Sequence, residues 1–369
     1  MKLLVVARAI DQMAGGVERT SIGLMNNMLE RGLEVELLTW DMAKATSFYA
    51  MKPEIKWHRL NMGHPEKKAS YALMFQRARV IRTLVRQRDI DIIICFQAGP
   101  FLAMMTYLLG MGIPIIASER NSPSRFKHLK AGWYKSIFFQ SFRFASQLVV
   151  QCESYCANYP DYLNSRIITI PNPVYPTDIH AMPFDSDNGR FRMLSIGRLG
   201  YQKNYTVLVK AFSRIATDFP KWDLTIIGDG EERQKLQTLI EELGLVNRVL
   251  LPGATDNITE WYVKSHAFCL PSGWEGFPNA LAEALAHGLP CIGFEDCSGV
   301  RDLIHCGKNG YLAPGNGDEN SLAITLKKLM SDHILRKNMS ESAIESIKIF
   351  EPKKIFDLWE QVIISTAKN

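Results

Sequence analysis

Short, continuous apolar runs alternate along the first half of the chain with amphipathic stretches of helical period. The runs fall at residues 3–7, 35–39, 90–96, 113–118, 148–151 and 167–170. Apolar segments of strand length separated by helices predict repeated β-α-β units, in which helices cover both faces of a parallel sheet. The same pattern restarts at 191–196, 224–228, 249–251, 267–270 and 290–294. An α/β protein is therefore predicted, with two Rossmann-like domains in tandem over 1–172 and 190–349. Pro171, Pro173, Pro176 and Pro183 break regular structure between them, and 185–189 is polar, which places the boundary near 172–190. A helical tail follows over 321–349 and 352–367.

The richest segment lies beyond the fourth run of the second domain. Residues 271–290 read P-S-G-W-E-G-F-P-N-A-L-A-E-A-L-A-H-G-L-P, and Pro278, Gly288 and Pro290 bound a helix at about 278–287 with Pro278 as its first residue. Glu275 precedes this helix and Glu283 lies roughly 7.5 Å along it, at 1.5 Å per residue. A helix N-terminus attracts phosphate, whereas carboxylates accept hydrogen bonds from sugar hydroxyls. A sugar nucleotide matches both, with its diphosphate at the amides near Gly276 and Asn279, its hexose at Glu275 and its ribose at Glu283. A plainer reading stands beside this one: Glu275 as a first-turn acid that favours the dipole, and Glu283 as a solvated helix residue.

Charge adds an asymmetry. The net charge of +5 divides into 22 Lys and Arg against 13 Asp and Glu over residues 1–172, and 21 against 25 over the remainder. The first domain is thus cationic. No run approaches about 18 apolar residues, and M-K-L-L-V-V-A-R is interrupted by charge too early for a secretory segment, so a cytoplasmic protein is expected. The seven cysteines, Cys95, Cys152, Cys156, Cys269, Cys291, Cys297 and Cys306, lack paired C-x-x-C spacing, which argues against a disulfide framework or a zinc site.

Two further glycine segments follow first strands. After residues 3–7 comes A-R-A-I-D-Q-M-A-G-G-V-E-R-T, in which Gly15 and Gly16 precede a helix starting near Val17. They either form a turn or let a phosphate or sugar approach the backbone. The dinucleotide fingerprint G-x-G-x-x-G is absent. In the second domain S-I-G-R-L-G-Y-Q-K-N-Y places Arg198 and Lys203 at the carboxyl end of a strand, where ligands of open α/β sheets bind. A planar fork and a mobile point charge suit a diphosphate.

The ordered series G-G-V-E-R, G-R-L-x-x-x-K-N, G-D-G, L-P-G, E-G-F-P-N-A-L-A-E-A-L-A-x-G-x-P and K-N-G-Y-L resembles the retaining glycosyltransferases of family 4, which have the GT-B fold. The resemblance implies an acceptor-binding first domain, completed by a last helix at 352–367 that crosses back onto it, and a second domain that binds the nucleotide sugar. It implies that Arg198 and Lys203 neutralise the donor diphosphate and that Glu283 holds the ribose. Glu275, with Gly276 and the backbone of Phe277, Pro278 and Asn279, would hold the transferred sugar. Gly15 and Gly16 would contact the donor phosphate or the acceptor, and the loop 246–256 would meet the base.

One position departs from many relatives. Where they carry histidine this chain has A-S-E-R-N-S-P, so Arg120 takes that place, as in a subset of bacterial polysaccharide transferases. An arginine accepts no proton at neutral pH, which leaves hydrogen bonding to sugar or phosphate, or a structural pairing with Glu119 or another carboxylate.

The implied reaction moves a hexose or N-acetylhexosamine from a nucleotide sugar, a UDP-sugar, to a hydroxyl of a lipid-linked glycan. A small soluble acceptor and a non-catalytic nucleotide-sugar-binding subunit are the alternatives. No metal cofactor is expected: the D-x-D pairs Asp89/Asp91 and Asp185/Asp187 are poorly placed, and Arg198, Lys203 and a helix terminus can stabilise the leaving diphosphate. Basic residues concentrate in 67–88 (Lys67, Lys68, Arg77, Arg79, Arg82, Arg86, Arg88). A second basic stretch, 124–143, carries Arg125, Lys127, Lys130, Lys135 and Arg143 beside Phe126, Trp133, Tyr134, Phe138, Phe139 and Phe142. Such surfaces suit the anionic inner face of the cell membrane and a polyprenyl-diphosphate-linked or glycolipid acceptor, with a solvated basic helix followed by a buried aromatic one as the competing reading. No nucleic-acid motif accompanies the charge.

Overall fold

The computed structural model describes residues 1–128, 132–186 and 189–368, with the side chains of 126–134 also outside the description. The chain forms two compact units, Met1–Pro173 with Lys353–Asn369, and Val174–Pro352.

Unit 1 is built on a seven-stranded sheet: β1 Lys2–Ala7, β2 Glu34–Thr39, β3 Lys56–Arg59, β4 Ile92–Phe96, β5 Ile115–Ser118, β6 Gln147–Val150 and β7 Ile167–Thr169. Its order is β3-β2-β1-β4-β5-β6-β7, and every pair is parallel. The central strands carry apolar residues on both faces because helices cover both, so β4, I-I-I-C-F, is completely buried. Strand β3 has no apolar run to betray it. Its sequence, K-W-H-R, is half-exposed at the sheet edge, where polar side chains find local partners. Trp57 Nε1 donates to Thr39 Oγ1 at 2.9 Å, and the Arg59 guanidinium lies 3.6 Å from the Trp57 ring centroid.

Unit 2 has a six-stranded parallel sheet: β8 Phe191–Ile196, β9 Trp222–Ile227, β10 Val249–Gly253, β11 Ala267–Leu270, β12 Cys291–Phe294 and β13 Gly310–Ala313, in the order β10-β9-β8-β11-β12-β13. Both sheets reverse their strand order once, at β1/β4 and at β8/β11. Open α/β sheets bind ligands outside the carboxyl ends of the strands at such a reversal.

The last helix, Pro352–Ala367, buries Ile355, Phe356, Trp359, Val362, Ile363 and Thr366, a spacing of three and four that forms one apolar stripe. Arg31, at the end of the first helix of unit 1, holds its polar side through Asp357 at 2.7 Å and Glu360 at 2.5 Å. Trp359 is fully buried, with its ring centroid 6.3 Å from that of Phe96. Trp359→Ala is expected to destabilise unit 1 by about 3–5 kcal/mol, the usual cost of emptying such a site. The exposed neighbour Leu358 should tolerate alanine within about 0.5 kcal/mol, and urea unfolding of the two variants checks the contrast.

Candidate functional site

In unit 2 the reversal at β8/β11 brings together the two loops that sequence motifs single out, 197–204 after β8 and 271–278 after β11. They are stitched to each other. Gly273 N–H donates to the Gln202 carbonyl at 2.9 Å, and Gln202 Nε2 donates to the Trp274 carbonyl at 2.5 Å. At the centre of this seam Lys203 Nζ donates to Glu275 Oε1 at 2.7 Å, and Ser272 Oγ donates to the same oxygen at 2.5 Å. Glu275 is only 6% exposed and lies in the loop ahead of the helix Asn279–Ala286 rather than in its first turn. A carboxylate this enclosed needs compensating donors, and Lys203 and Ser272 supply them.

The G-D-G turn after β9 fits under the first loop because its two glycines lack a Cβ. A Cβ at Gly228 would lie 2.1 Å from the Gly197 carbonyl oxygen and one at Gly230 would lie 2.5 Å from that of Leu199. Leu199 N–H donates to the Asp229 carbonyl at 2.9 Å, which fixes the base of Arg198. The Arg198 side chain itself is 77% exposed and meets Glu231 at 3.1 Å. Glu231 is held below the ordinary carboxylate range by its own backbone amide first and by Arg198 second. One cation of the predicted pair is thus locked onto Glu275, and the other stands in solvent on a partner it can exchange.

The helix expected at 278–287 runs Asn279–Ala286, with Pro278 at its cap (φ −78°, ψ 78°) rather than at its first position. These angles form an inverse γ-turn, in which Asn279 N–H donates to the Phe277 carbonyl at 2.9 Å. The Asn279 amide, expected to face a diphosphate, is therefore engaged within the chain. Glu283 is half-buried rather than solvated, and Tyr262 Oη donates to its Oε2 at 3.0 Å. The Tyr262 ring stacks on His287, 4.8 Å between centroids, and burial lowers the His287 pKa below its usual value. Sequence reasoning missed both Ser272 and Tyr262. Ser272 carried a local signal in being three residues from Glu275; Tyr262, on a different helix from Glu283, carried none.

In unit 1, Gly15 caps the helix Gly16–Glu30, which starts one residue ahead of Val17. The Glu18 carboxylate folds over Gly15, where an added Cβ would lie 2.2 Å from Oε2, and burial raises the Glu18 pKa. Arg120 is 4% exposed and lies between two rings, with its guanidinium carbon 5.2 Å from the Phe96 centroid and 5.3 Å from that of Trp359. Its Nη1 donates to Asn172 Oδ1 at 3.2 Å, Nε and Nη2 have no hydrogen-bond partner among the described residues, and burial pulls its pKa down to about 9. Glu119 does not pair with the guanidinium: its Oε1 accepts the backbone N–H groups of Arg120 and Asn121, both at 3.0 Å.

The remaining sequence candidates scatter. Asp89 is the exposed left-handed cap of the helix Tyr71–Arg88, Asp91 accepts the Lys2 N–H at 2.7 Å, and Asp187 lies outside the described residues. The basic residues of 67–88 divide: Arg77, Arg82 and Arg88 are tied to Met62, Tyr107 and Glu36, while Lys67, Lys68, Arg79 and Arg86 are exposed. In 124–143 Phe139 and Phe142 are buried, whereas Lys130 and the side chains of Phe126, Lys127, Trp133 and Tyr134 lie outside the described residues. No helix among the described residues is long and apolar enough to cross a membrane.

Two family models cover most of the chain: "Glycosyltransferase Family 4" matches residues 14–178 and "Glycosyl transferases group 1" matches residues 179–346. A relative from Campylobacter jejuni is an alpha-1,4-N-acetyl-D-galactosaminyltransferase named for GalNAc-alpha-(1->4)-GalNAc-alpha-(1->3)-diNAcBac-PP-undecaprenol; it is 27% identical over 96% of this chain and 96% of its own length. Among solved structures, sucrose-phosphate synthase from Thermosynechococcus elongatus superposes with a TM-score of 0.82 at 17% identity, covering 99% of this chain and 100% of that one. Anabaena HepE in complex with UDP superposes at 0.79 and 16% identity, with 99% and 100% covered. With its two parallel-sheet Rossmann-like units and this run of matches, the chain belongs to the family 4 glycosyltransferases of the GT-B fold.

Proposed function

We propose that this glycosyltransferase moves a hexosyl or N-acetylhexosaminyl group from a UDP-sugar to a hydroxyl of a lipid-linked glycan, with retention at the anomeric carbon. The observation that carries the reading is the Lys203–Glu275–Ser272 node at the β8/β11 reversal, a cation and an acceptor held together where such folds bind ligands. The name of the Campylobacter jejuni relative, which specifies an undecaprenyl-diphosphate-linked glycan, supports the acceptor class.

In this reading Arg198 and Lys203 stabilise charge on the departing diphosphate, and Glu275, with the backbone at Gly276, Phe277 and Pro278, receives hydroxyls of the transferred sugar. Glu283, oriented by Tyr262, receives the ribose hydroxyls. Gly15 and Gly16 contact the donor phosphate or the acceptor, and Arg120 offers Nε and Nη2 to a sugar or phosphate oxygen. Displacement occurs on one face of the sugar: the acceptor oxygen forms the new bond to the anomeric carbon as the bond to UDP breaks, and the leaving phosphate oxygen takes the acceptor proton. No side-chain nucleophile is required, and positioning of the two reactants supplies much of the rate.

Incubation with a panel of nucleotide sugars and an undecaprenyl-diphosphate glycan should release UDP from one donor. Glu275→Ala is expected to reduce turnover by about 100-fold or more, the scale of losing a group aimed at the transition state, with only a severalfold change in UDP affinity. Lys203→Ala should instead weaken UDP itself, by about tenfold. Equal turnover by the wild type and Glu275→Ala would remove the site assignment.

We also propose that the enzyme works at the cytoplasmic face of the membrane. Tyr71, 92% exposed, and Phe75, 66% exposed, stand on the same helix as the exposed Arg79 and Arg86, an amphipathic combination suited to anionic lipid. Sedimentation with phosphatidylglycerol vesicles is expected at low salt, with release at about 0.5 M salt, where screening shortens to a few ångströms. Absence of sedimentation at low salt would reject this placement.

A further inference from the structure

A cavity lies wholly within unit 1, with a volume of about 280 Å³. It opens at the carboxyl ends of β1, β2 and β4: Arg8 follows β1, Trp40 follows β2, and Gly99 lies in the first turn of the helix Ala98–Tyr107 that follows β4. The wall is apolar and aromatic, including Trp40 and Tyr107, while the charge is of one sign. Arg8, Lys67, Lys68 and Arg77 line the cavity, and no carboxylate does.

The two arginines are held in place. Arg8 Nε donates to the Pro65 carbonyl at 2.9 Å and Arg77 Nε to that of Met62 at 3.1 Å, so one exposed and one buried arginine brace the loop that carries Lys67 and Lys68. Among the described residues none of the four forms an ion pair. The Arg77 pKa is lowered, first by burial; the Tyr107 hydroxyl beside it acts the other way, and the nearby Arg8 charge adds to the lowering. Four like charges gathered around one hollow repel each other, and a multivalent anion seated there would relieve that repulsion. The exposed Gly99, at the positive end of its helix dipole, adds to the same potential.

We propose that this pocket binds the diphosphate of a prenyl-diphosphate-linked acceptor, with the first prenyl carbons against its apolar wall. The proposal rests on the lipid-linked acceptor of the preceding section. It assigns the anionic anchor of that acceptor to Arg8, Lys67, Lys68 and Arg77, apart from any residue of the donor site.

The test is titration calorimetry of the full chain with farnesyl diphosphate, farnesol, inorganic pyrophosphate and UDP as separate probes. Farnesyl diphosphate is expected to bind, farnesol not to, and pyrophosphate to bind more weakly than farnesyl diphosphate. The surface substitutions Lys67→Ala and Lys68→Ala together should weaken farnesyl diphosphate by about tenfold or more, with UDP affinity unchanged. Lys44→Ala with Lys56→Ala removes the same charge from exposed positions outside the pocket and should leave farnesyl diphosphate binding within about twofold. Equal binding of farnesyl diphosphate by the wild type and the Lys67/Lys68 variant would overturn the proposal. Pyrophosphate binding as tight as farnesyl diphosphate would assign the pocket to free phosphate instead and overturn the lipid assignment. Failure of UDP to bind would count against the donor reading alone, since that ligand reports on unit 2.

Discussion

A carboxylate enclosed at the end of a parallel sheet has to be compensated, and in unit 2 this requirement organises the loops at the β8/β11 reversal. Glu275 is nearly out of solvent, so the lysine and serine that reach it are fixed, and through them the loops after β8 and β11 are tied into one seam. Burying a charge with only one partner removed is expensive, commonly about 3–5 kcal/mol, which makes the pair an obligate unit. Around it the glycines at 228 and 230 let the third loop close against the first, and the Gly273 carbonyl accepts from Asn316 Nδ2 at 2.7 Å. The result is a hydrogen-bonded floor beside which the exposed Arg198 side chain meets Glu231. Preorganisation of this kind places polar groups before a ligand arrives.

The same economy appears in unit 1 with an arginine at its centre. Arg120 sits between Phe96, on the sheet, and Trp359, on the returning helix, and reaches Asn172 just before the chain leaves the unit. It therefore ties three stretches of chain that are far apart in sequence. Gln151 Nε2 shares the Asn172 oxygen at 2.9 Å, so the end of β6 joins the same group. A guanidinium stacks on aromatic faces and still donates in its own plane, which a histidine or lysine at this position does less well. The departure from histidine is thus accommodated by rings as much as by hydrogen bonds.

Much of this architecture was legible in the sequence because parallel strands are buried on both faces and read as plain apolar runs. The two strands this pattern misses, β3 and β13, are both sheet edges: K-W-H-R is largely polar and at least half-exposed, and G-Y-L-A is mostly buried but carries only a short apolar run after a glycine. Arg198 and Glu275 could be singled out because each adjoins a glycine near a strand end or helix start, and Lys203 and Glu283 because they fall in the loop or helix that such a glycine or proline opens. Their partnerships could not. That Lys203 meets Glu275, and Tyr262 meets Glu283, follows from which strands are neighbours in the sheet and from helix placement, 72 and 21 residues apart in the chain. Likewise the basic stretch 67–88 looked uniform as a sequence, yet burial separates its structural arginines from Lys67 and Lys68 at a pocket mouth.

The central claim is that the seam joining the loops after β8 and β11 receives the nucleotide sugar. Amide hydrogen exchange of the full chain with and without saturating UDP tests it most directly, because ligand contact and local ordering slow exchange where they occur. The account expects slower exchange over 197–204 and 272–283, with the strands of unit 1 unchanged. Protection confined to other segments, with those two loops exchanging as fast as in the free protein, would contradict it.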